Sequence, residues 1–347
     1  MGTKRNLPEH LQHFLDRVPG DPDTGLVRVF EHDRDYQIPT IYSTGAAALD
    51  VALGVGGVPG GRIVEIFGPE MGGKSSLAFS IASQAQRTAP EDRGFVLLVD
   101  AEHSFSPEFA SHTFGIDLRK LVLAQPVDGP GALELLTDGA ASGAFDVLIL
   151  DSVAALDPGV TGGQLGVHAK MMSEGIRRLV PRAAQGDGVV LFVNQIRMNP
   201  TQYGNPETTT GGRALGFYAS MRLEVRSPAS KRITTGGDVT GQVCQVKVRK
   251  NKLAPPHRET QYTLDYRRGI DTWGSLLDAG EALGLVERRG AVYLGPGGVK
   301  LGFGREAATT ALREDPRLLD RLWTGIYDTF PGPVRAARPE ARRDQTG

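Results

Sequence analysis

The most constraining feature of this chain is a glycine-rich loop between a short apolar run and a segment of helical spacing. Residues 68–75 read GPEMGGKS and satisfy the pattern G-x-x-x-x-G-K-[ST]. The apolar run Ile63–Phe67 precedes the loop, and the helical pattern Ser75–Gln86 follows it. Glycines let the backbone turn its N–H groups toward phosphate oxygens at the positive end of a helix dipole. The pattern therefore predicts a phosphate-binding loop.

The chemistry of phosphate binding explains two polar residues of this loop. Lys74 can place a compact positive charge on the β- and γ-phosphates, and the Ser75 hydroxyl can bind Mg²⁺. ATP and Mg²⁺ are therefore the expected cofactors. The residues assigned to ATP binding here are Gly68, Pro69, Glu70, Met71, Gly72, Gly73, Lys74, Ser75 and Ser76.

Acidic residues follow two further apolar runs. Val147–Leu150 is followed by Asp151, and Phe95–Val99 is followed by Asp100 and Glu102. In an open parallel sheet, ligands lie at the carboxyl ends of the strands. These three acids are therefore expected to converge near the phosphate loop.

Two of these acids have separate expected roles. Asp151 supplies a carboxylate on the metal side of the nucleotide, so we assign Mg²⁺ and ATP to Asp151 together with Ser75. Hydrolysis also needs a carboxylate that orients or deprotonates the attacking water, and we assign this role to Glu102. The alternative for Glu102 is a solvated loop acid.

The apolar run Val190–Val193 ends in an amide pair, Asn194 and Gln195. A Gln at this position can detect a γ-phosphate and pass its presence to the following loop. An amide that only satisfies the local backbone is an open alternative. We assign Gln195 to catalysis beside Lys74 and Glu102.

The segment 198–215 is long for a loop, and loops of that length are usually functional or disordered. Arg197, Tyr203 and Arg213 lie in or beside it. These residues suit single-stranded DNA, because cations bind phosphates and an aromatic ring can stack on a base. A lid that binds no DNA is the alternative.

Short apolar runs alternate with segments of helical spacing through the central part of the chain. Apolar strands separated by helices predict an α/β fold, a P-loop ATPase core with a mainly parallel sheet flanked by helices. We expect four regions: an N-terminal oligomerisation arm at 1–37, the ATPase core with DNA-binding loops at 38–270, a small C-terminal α/β domain at 271–330 and a disordered, arginine-rich tail at 331–347.

Composition narrows the function. The formal net charge of the 347 residues is −1, so contact with a nucleic acid needs a local basic patch. Residues 222–269 supply one, because eleven Lys and Arg against four Asp and Glu leave a charge near +7. The single cysteine, Cys244, excludes an intramolecular disulfide framework. Without an apolar run of membrane-spanning length or a signal-peptide pattern, we expect a cytoplasmic protein with no membrane contact.

Together these segments resemble the bacterial RecA recombinase family of ATP-dependent strand-exchange proteins. The block Gly204–Gly212 is highly specific, because replicative helicases and other ATPases with this core share the phosphate loop without that block. The resemblance covers about residues 25–330. Further matching segments are Ser43–Gly45, Gly61–Ile66, Asp100–His103, Asp151–Leu156, Asn194–Met198, Phe217–Ser220 and Lys250–Lys252.

The resemblance implies a function and partners. It implies assembly of the protein with itself into a helical filament on single-stranded DNA, pairing with double-stranded DNA, and strand exchange in recombinational repair. It also implies an SOS-type co-protease role toward a LexA-type repressor, and recombination mediators as partners. Two alternatives stay open: a ring-forming, helicase-type ATPase, and a divergent paralogue that acts as a regulatory filament or mediator.

The resemblance implies roles for single residues at the nucleotide. Glu102 matches the family's water-activating glutamate, and Gln195 matches its γ-phosphate sensor. Phe109 lies where the family stacks an aromatic ring on adenine. Lys250 and Lys252 match lysines that reach the ATP of the neighbouring subunit.

Other matches concern DNA and the subunit boundary. The segment from Leu26 to Phe30 resembles the strand that is added to a neighbour's sheet during polymerisation. Phe217 matches a subunit-interface residue linked to the sensor loop. Residues that match contacts to single-stranded DNA are Ser173, Arg177, Gly211 and Gly212.

The sequence also departs from the family pattern. Ser106 stands where an Asp usually contacts adenine, and Arg213 replaces an Asn at a DNA-facing position. The tail is arginine-rich where the best-known relatives are acidic. These differences indicate a divergent member of the family.

Overall fold

The computed structural model describes His13 and residues 39–159, 166–198 and 207–339. Its strands in chain order are β1 (Ile41–Tyr42), β2 (Val58–Pro59), β3 (Ile63–Gly68), β4 (Val96–Asp100), β5 (Leu121–Ala124), β6 (Val147–Asp151), β7 (Val189–Met198), β8 (Glu207–Thr209), β9 (Met221–Arg226), β10 (Arg232–Thr235), β11 (Asp238–Asn251), β12 (Glu259–Asp265), β13 (Gly269–Ile270), β14 (Glu287–Arg289), β15 (Val292–Leu294), β16 (Lys300–Phe303) and β17 (Val334–Arg335). Its α-helices are α1 (Ala47–Leu53), α2 (Lys74–Thr88), α3 (Pro107–Phe109), α4 (Gly129–Ser142), α5 (Val167–Ala183), α6 (Ala214–Tyr218), α7 (Thr272–Ala282), α8 (Gly304–Glu314) and α9 (Pro316–Tyr327). No helix in these ranges is long and apolar enough to cross a bilayer.

One large sheet organises most of the described chain. Its strand order is β13-β12-β11-β9-β3-β7-β6-β4-β5, with β10 paired to β11 and β8 paired to β7. The strands from β9 to β5 in this order run parallel. The basic segment extends the sheet with the antiparallel strands β11, β12 and β13. The predicted α/β fold is therefore confirmed, and the sheet is mixed: it is parallel from β9 to β5 and antiparallel in its other pairings.

Helices cover the parallel part of the sheet on both faces. Leu77 and Ile81 of α2 belong to the core on one face, and Leu136 of α4 and Ile176 of α5 belong to the core on the other. Both faces of β6 are therefore buried, which explains why Val147–Leu150 is apolar at every position. Polar side chains can then face a ligand only at the ends of the strands.

The C-terminal part contains a smaller sheet in the order β14-β15-β16. The helices α7, α8 and α9 pack around a separate apolar core that includes Leu276 and Leu322. The helical pattern of residues 305–330 predicts one helix there, but the structure has two. Asp315 separates them, because its carboxylate accepts hydrogen bonds from two backbone N–H groups at the start of α9.

Residues 331–339 pack against the rest of the chain, so the prediction of a disordered tail from residue 331 is wrong for this segment. β17 pairs with β1 in parallel. Arg335 reaches the buried carboxylate of Asp146, with Nη1 and Oδ1 2.7 Å apart. A two-residue strand and one buried ion pair produce no apolar periodicity. The ordered structure of this segment could therefore not be predicted from a sequence pattern. Residues 340–347 lie outside the described residues.

Candidate active site

The phosphate loop connects the end of β3 with the first turn of α2. Two of its glycines approach neighbouring strands so closely that a side chain would collide with them. An ideal Cβ on Gly68 would lie 2.0 Å from the carbonyl oxygen of Val225. One on Gly73, whose φ is 91°, would lie 2.8 Å from the sulfur of Cys244. These approaches hold the loop backbone against β9 and β11 at a helix N-terminus, where the dipole favours an anion.

Lys74 begins α2, and its side chain is buried. Its Nζ donates a hydrogen bond to the carbonyl oxygen of Pro69 at 2.7 Å. Burial lowers the pKa of Lys74, and the negative charges of Asp151, Glu102 and Glu70 oppose that shift. The ammonium group therefore lies inside a curl of its own loop, within the field of three carboxylates.

Asp151 ends β6 close to the start of α2. Burial raises the pKa of Asp151 to about 6, while a hydrogen bond from the Ser75 hydroxyl and the charge of Lys74 act in the opposite direction. Ser75 and Asp151, the two predicted metal ligands, are thus in contact. The described residues contain no group of three or more His, Cys, Asp and Glu side chains that could hold a metal ion. Two protein oxygens suit Mg²⁺, which completes its shell with water and nucleotide phosphates.

Glu102 lies on the exposed turn after β4. The hydroxyl of Ser152 donates a hydrogen bond to its Oε1, and Nε2 of Gln195 lies 3.4 Å from the same oxygen. The structure therefore brings Glu102 and Gln195 together from two different strands. Ser152 follows Asp151 directly, so the end of β6 provides the carboxylate predicted to bind the metal and a hydroxyl that orients Glu102.

Asp100 lies beside Asp151, as the sequence predicts, because the two residues are register partners on β4 and β6 and the charge of Asp100 contributes to the raised pKa of Asp151. The Asp100 carboxylate accepts hydrogen bonds from the N–H groups of Ser104 and Phe105 and from the side-chain amide of Gln125. Both oxygens are therefore occupied by groups of the protein. These bonds shape the turn that carries Glu102, which gives Asp100 a supporting role.

Phe109 ends the short helix α3 and is 43% exposed. The edge of its ring meets Phe114, with the ring centroids 5.6 Å apart. Ser106 caps the same helix, because its hydroxyl accepts a hydrogen bond from the N–H group of Phe109 at 3.2 Å. The serine that departs from the family pattern thus fixes the backbone beneath the aromatic ring.

Lys250 is the last residue but one of β11, and Lys252 follows the strand directly. Nζ of Lys250 donates hydrogen bonds to the carbonyl oxygens of Gly216 and Phe217, each at 2.8 Å. Burial lowers the pKa of Lys250, and the charges of Lys252 and Arg222 lower it further. Lys250 therefore holds α6, on which the side chain of Phe217 is 71% exposed.

The predicted DNA contacts come from two segments that meet. Ser173 and Arg177 lie one turn apart on α5, and Arg177 is exposed. An ideal Cβ on Gly212 would lie 2.8 Å from Cβ of Ala169, near the start of the same helix. The segment after β8, residues 210–213, therefore packs directly on α5.

The remaining predicted DNA contacts lie beside this junction. Nε of Arg197 donates a hydrogen bond to the Thr210 hydroxyl at 3.2 Å. Gly211 precedes Gly212, and Arg213 is exposed just before α6. The predicted residues Tyr203, Leu26 and Phe30 lie outside the described residues.

Several polar residues that support the site are not predictable from motifs. Nε2 of Gln242 donates a hydrogen bond to the carbonyl oxygen of Met71 at 3.1 Å, and the Tyr266 hydroxyl donates to Oε1 of Gln242 at 2.9 Å. Gln242 is buried and thus holds the phosphate loop from β11. Glu65 is also buried. Its position as a charged residue inside the apolar run Ile63–Phe67 is the sequence feature that could have identified it as a supporting residue.

Two family models match the chain. The model described as the RecA N-terminal domain matches residues 14–271. The model described as the RecA C-terminal domain matches residues 274–330. The two matches together cover both the large sheet and the C-terminal core.

Known proteins agree with these matches. Protein RecA of Thermus thermophilus is 44% identical over 334 residues, which are 94% of this chain and 96% of the relative. Protein RecA of Syntrophus aciditrophicus is 44% identical over 330 residues, 93% of this chain and 94% of the relative. A crystal structure of the RadB recombinase shares the fold, with a TM-score of 0.52 at 20% identity over 66% of this chain and 98% of that chain. This chain belongs to the RecA family.

Proposed function

We propose that this protein is an ATP-dependent recombinase that polymerises on single-stranded DNA and hydrolyses ATP while it pairs and exchanges strands. The observation that carries the proposal is the convergence of Lys74, Ser75, Asp151, Glu102 and Gln195 at one edge of the sheet. These residues have the chemistry that phosphoryl transfer to water requires, and they come from four separate elements.

The side chains divide the work of hydrolysis between them. Lys74 exchanges its bond to the Pro69 carbonyl for a phosphate oxygen, which is a stronger acceptor because it is charged. Glu102, oriented by Ser152, accepts a proton from the attacking water. Mg²⁺, held by Ser75 and Asp151, supplies positive charge to the phosphates when it is bound.

Gln195 is the proposed sensor of the γ-phosphate. Its side-chain N–H₂ group reaches Glu102 at 3.4 Å, so a γ-phosphate competes for the same donor. Its backbone carbonyl accepts a hydrogen bond from the N–H group of Thr210 at 3.2 Å. A change at Gln195 therefore reaches the segment that carries Gly211 and Gly212.

We assign contacts with single-stranded DNA to the junction of α5 with the segment after β8. Arg177, Arg197 and Arg213 are exposed there and supply cations for phosphates. Ser173, Gly211 and Gly212 let the strand approach the backbone, and Tyr203 supplies a ring for stacking. Binding through phosphates and backbone is expected to depend strongly on salt and weakly on base sequence.

Self-association is proposed to use the edge of the large sheet. Among the described residues β5 is the last strand on its side of this sheet, and its Val122 and Leu123 are 45% and 43% exposed. An apolar sheet edge can accept a strand from a second copy of the chain. We propose that Leu26 to Phe30 of a neighbouring subunit is this strand, and that Phe217 contributes to the same boundary between subunits.

Further partners follow from family membership. We propose double-stranded DNA as the second substrate, and a LexA-type repressor and recombination mediators as protein partners. Repressor self-cleavage needs its own assay, because a filament can retain strand exchange without it.

Imaging and strand exchange together test the proposal against its alternatives. With ATP and Mg²⁺, the protein is expected to form helical filaments on single-stranded DNA and to transfer a labelled strand from a homologous duplex. Closed rings that unwind the duplex would favour a helicase-type motor. Filaments without strand exchange would favour a regulatory or mediator role. The Lys74→Ala variant is the control that should fail in strand exchange.

A further inference from the structure

Glu65 is a fully buried carboxylate in the middle of the parallel sheet. It lies on β3, and its register partners are Phe192 on β7 and Arg222 on β9. A buried carboxylate destabilises a fold unless it is paired and hydrogen-bonded. Its position on the strand that leads directly into the phosphate loop suggests a role beyond packing.

One oxygen of Glu65 connects to β7, the sensor strand, which carries Gln195. Nδ2 of Asn194 donates hydrogen bonds to Oε1 of Glu65 at 2.9 Å and to the carbonyl oxygen of Thr210 at 3.0 Å. Oδ1 of the same side chain accepts from the N–H group of Gln195 at 2.8 Å. Asn194 is completely buried. Glu65 thus fixes the amide that ties the sensor strand to the segment after β8.

The other oxygen of Glu65 connects to the subunit-boundary helix α6. Nε of Arg222 donates a hydrogen bond to Oε2, and the guanidinium lies 4.6 Å from the centre of the Phe67 ring. An ideal Cβ on Gly216 would lie 3.5 Å from Cζ of Arg222, so the guanidinium packs against α6. Lys250 binds the carbonyl oxygens of the same helix.

We infer that Glu65 is a positioning residue that couples the γ-phosphate sensor to the DNA-facing segment and to α6 through Asn194 and Arg222. This inference rests on the proposed function, because it names how ATP raises affinity for DNA. Glu65 is fully buried, so we give it no direct contact with nucleotide or DNA. Its carboxylate is the acceptor shared by Asn194 and Arg222, which fix β7, the DNA-facing segment and α6 relative to one another. A shift of β7 is therefore transmitted to the DNA-facing segment and to α6.

The test measures the coupling itself. The dissociation constant for a fluorescein-labelled thymidine oligonucleotide is determined with and without ATPγS and Mg²⁺, and the ratio of the two values is the coupling. Glu65→Gln keeps the shape of the side chain but removes its charge. We expect this ratio to fall about tenfold in Glu65→Gln, while affinity for ATPγS without DNA changes less than about threefold.

Asp146→Asn is the matched control. Asp146 is an equally buried acid with arginine partners, and it accepts hydrogen bonds from Arg93 and Arg335. The other donors to its carboxylate in the described structure are the Tyr42 hydroxyl and the N–H group of Gly94, so the Asp146 side chain has no hydrogen bond to Asn194 or to the phosphate loop. A general loss of stability would lower the coupling ratio in both variants, whereas a positioning role lowers it only in Glu65→Gln.

A second variant keeps the test decisive if Glu65→Gln does not fold. Asn194→Ala keeps both partners of the ion pair between Glu65 and Arg222 and removes the hydrogen bonds of the Asn194 side chain with Glu65, the Thr210 carbonyl and the Gln195 N–H group. It is expected to lose the same coupling. Folded variants that both retain the wild-type ratio would overturn the inference. A wild-type protein whose DNA affinity does not respond to ATPγS would instead contradict the proposed function.

Discussion

At the scale of single residues, the site contains two ionisable side chains that are largely buried, Lys74 and Asp151. Burial lowers the pKa of Lys74 and raises that of Asp151, so each side chain is less stable as an ion than it would be in solvent. Each opposes the other's shift through its charge. In the proposed function, a nucleotide with Mg²⁺ would bring phosphate to Lys74 and a cation to Asp151, so both residues would gain a partner when the substrate binds.

Replacing Glu102 by Gln should separate binding from hydrolysis. The amide keeps the size of the side chain and removes the base, so turnover is expected to fall by about 10²–10⁴-fold while ATP still binds. Single-turnover hydrolysis and nucleotide titration measure the two effects. Glu108→Gln, an exposed acid on α3, is the control and should retain wild-type turnover. Loss of nucleotide binding in Glu102→Gln would show that this residue is structural.

The raised pKa of Asp151 predicts a pH-dependent effect on stability. Because the folded-state pKa is about 6 against an ordinary 3.8, the folded state favours the protonated form. The stabilisation from that proton is complete below about pH 4 and is lost as the pH rises through about 6. Asp151→Asn should therefore stabilise the nucleotide-free protein at about pH 8 by up to about 3 kcal/mol, and by less as the pH falls.

Urea unfolding of the nucleotide-free protein at about pH 5 and about pH 8 measures this difference. Asp138→Asn, at an exposed position on α4, is the control and should show no such pH-dependent gain. The same substitution at Asp151 should weaken binding of ATP with Mg²⁺, as expected where a functional site lowers stability. Equal stability of wild type and Asp151→Asn at the higher pH would contradict the assignment of a buried charge.

At the scale of elements, β11 connects two parts of the proposed mechanism. Gln242 on this strand holds the carbonyl of Met71 in the phosphate loop. Lys250, near the other end, holds the carbonyls of α6. One strand therefore links the phosphate loop of its own subunit with the residues proposed to reach the nucleotide of the next subunit.

The segment 331–339 gives a prediction about stability at the same scale. Arg335 should matter because it pairs with the buried carboxylate of Asp146, whereas Arg338 pairs with the exposed carboxylate of Asp320. Arg335→Ala is expected to lower the free energy of unfolding by about 1–3 kcal/mol. Arg338→Ala should lower it by less than about 1 kcal/mol. Urea denaturation compares the two, and equal effects would contradict the role of residue 335 in holding the segment.

Elements with a repeating pattern were predictable from the sequence, and those that depend on one distant partner were not. The apolar runs before Asp151 and Gln195 identified buried parallel strands, and the phosphate loop identified the start of α2. The break at Asp315 was missed because its helix cap interrupts a continuous amphipathic pattern. β17 was missed because its order depends on β1 and Asp146, which lie far away in the sequence.

The candidate site divides in the same way. Residues in motifs, such as Lys74, could be assigned from chemistry and spacing. Supporting residues such as Ser152 and Gln242 could not, because their roles depend on which atoms the fold places beside them. The supporting role of Asp100 was likewise not predictable, because it depends on hydrogen bonds from the N–H groups of Ser104 and Phe105.

At the scale of the whole molecule, each ATP in the proposed filament is bound between two subunits. Lys250 and Lys252 are proposed to stabilise the phosphates of a neighbour, as an arginine finger does. ATP hydrolysis should then rise cooperatively with protein concentration. A subunit that lacks these lysines can still bind its own nucleotide but cannot serve the next subunit.

Mixing two inactive variants tests this arrangement. A chain with Lys250→Ala and Lys252→Ala retains its phosphate loop, and a Lys74→Ala chain retains its lysines. Together they should form mixed filaments and recover part of the ATPase activity, whereas each variant alone stays inactive. If co-assembly is demonstrated and no activity returns at any ratio, the lysines do not act between subunits.

The rate of ATP hydrolysis with and without single-stranded DNA tests the proposed function most directly. We expect the rate to rise at least about tenfold on addition of single-stranded DNA of any base sequence. In the Lys74→Ala variant it should fall to background, because the positive charge on the β- and γ-phosphates is lost. A rate that does not respond to DNA, or wild-type turnover in Lys74→Ala, would contradict a DNA-dependent ATPase built on this site.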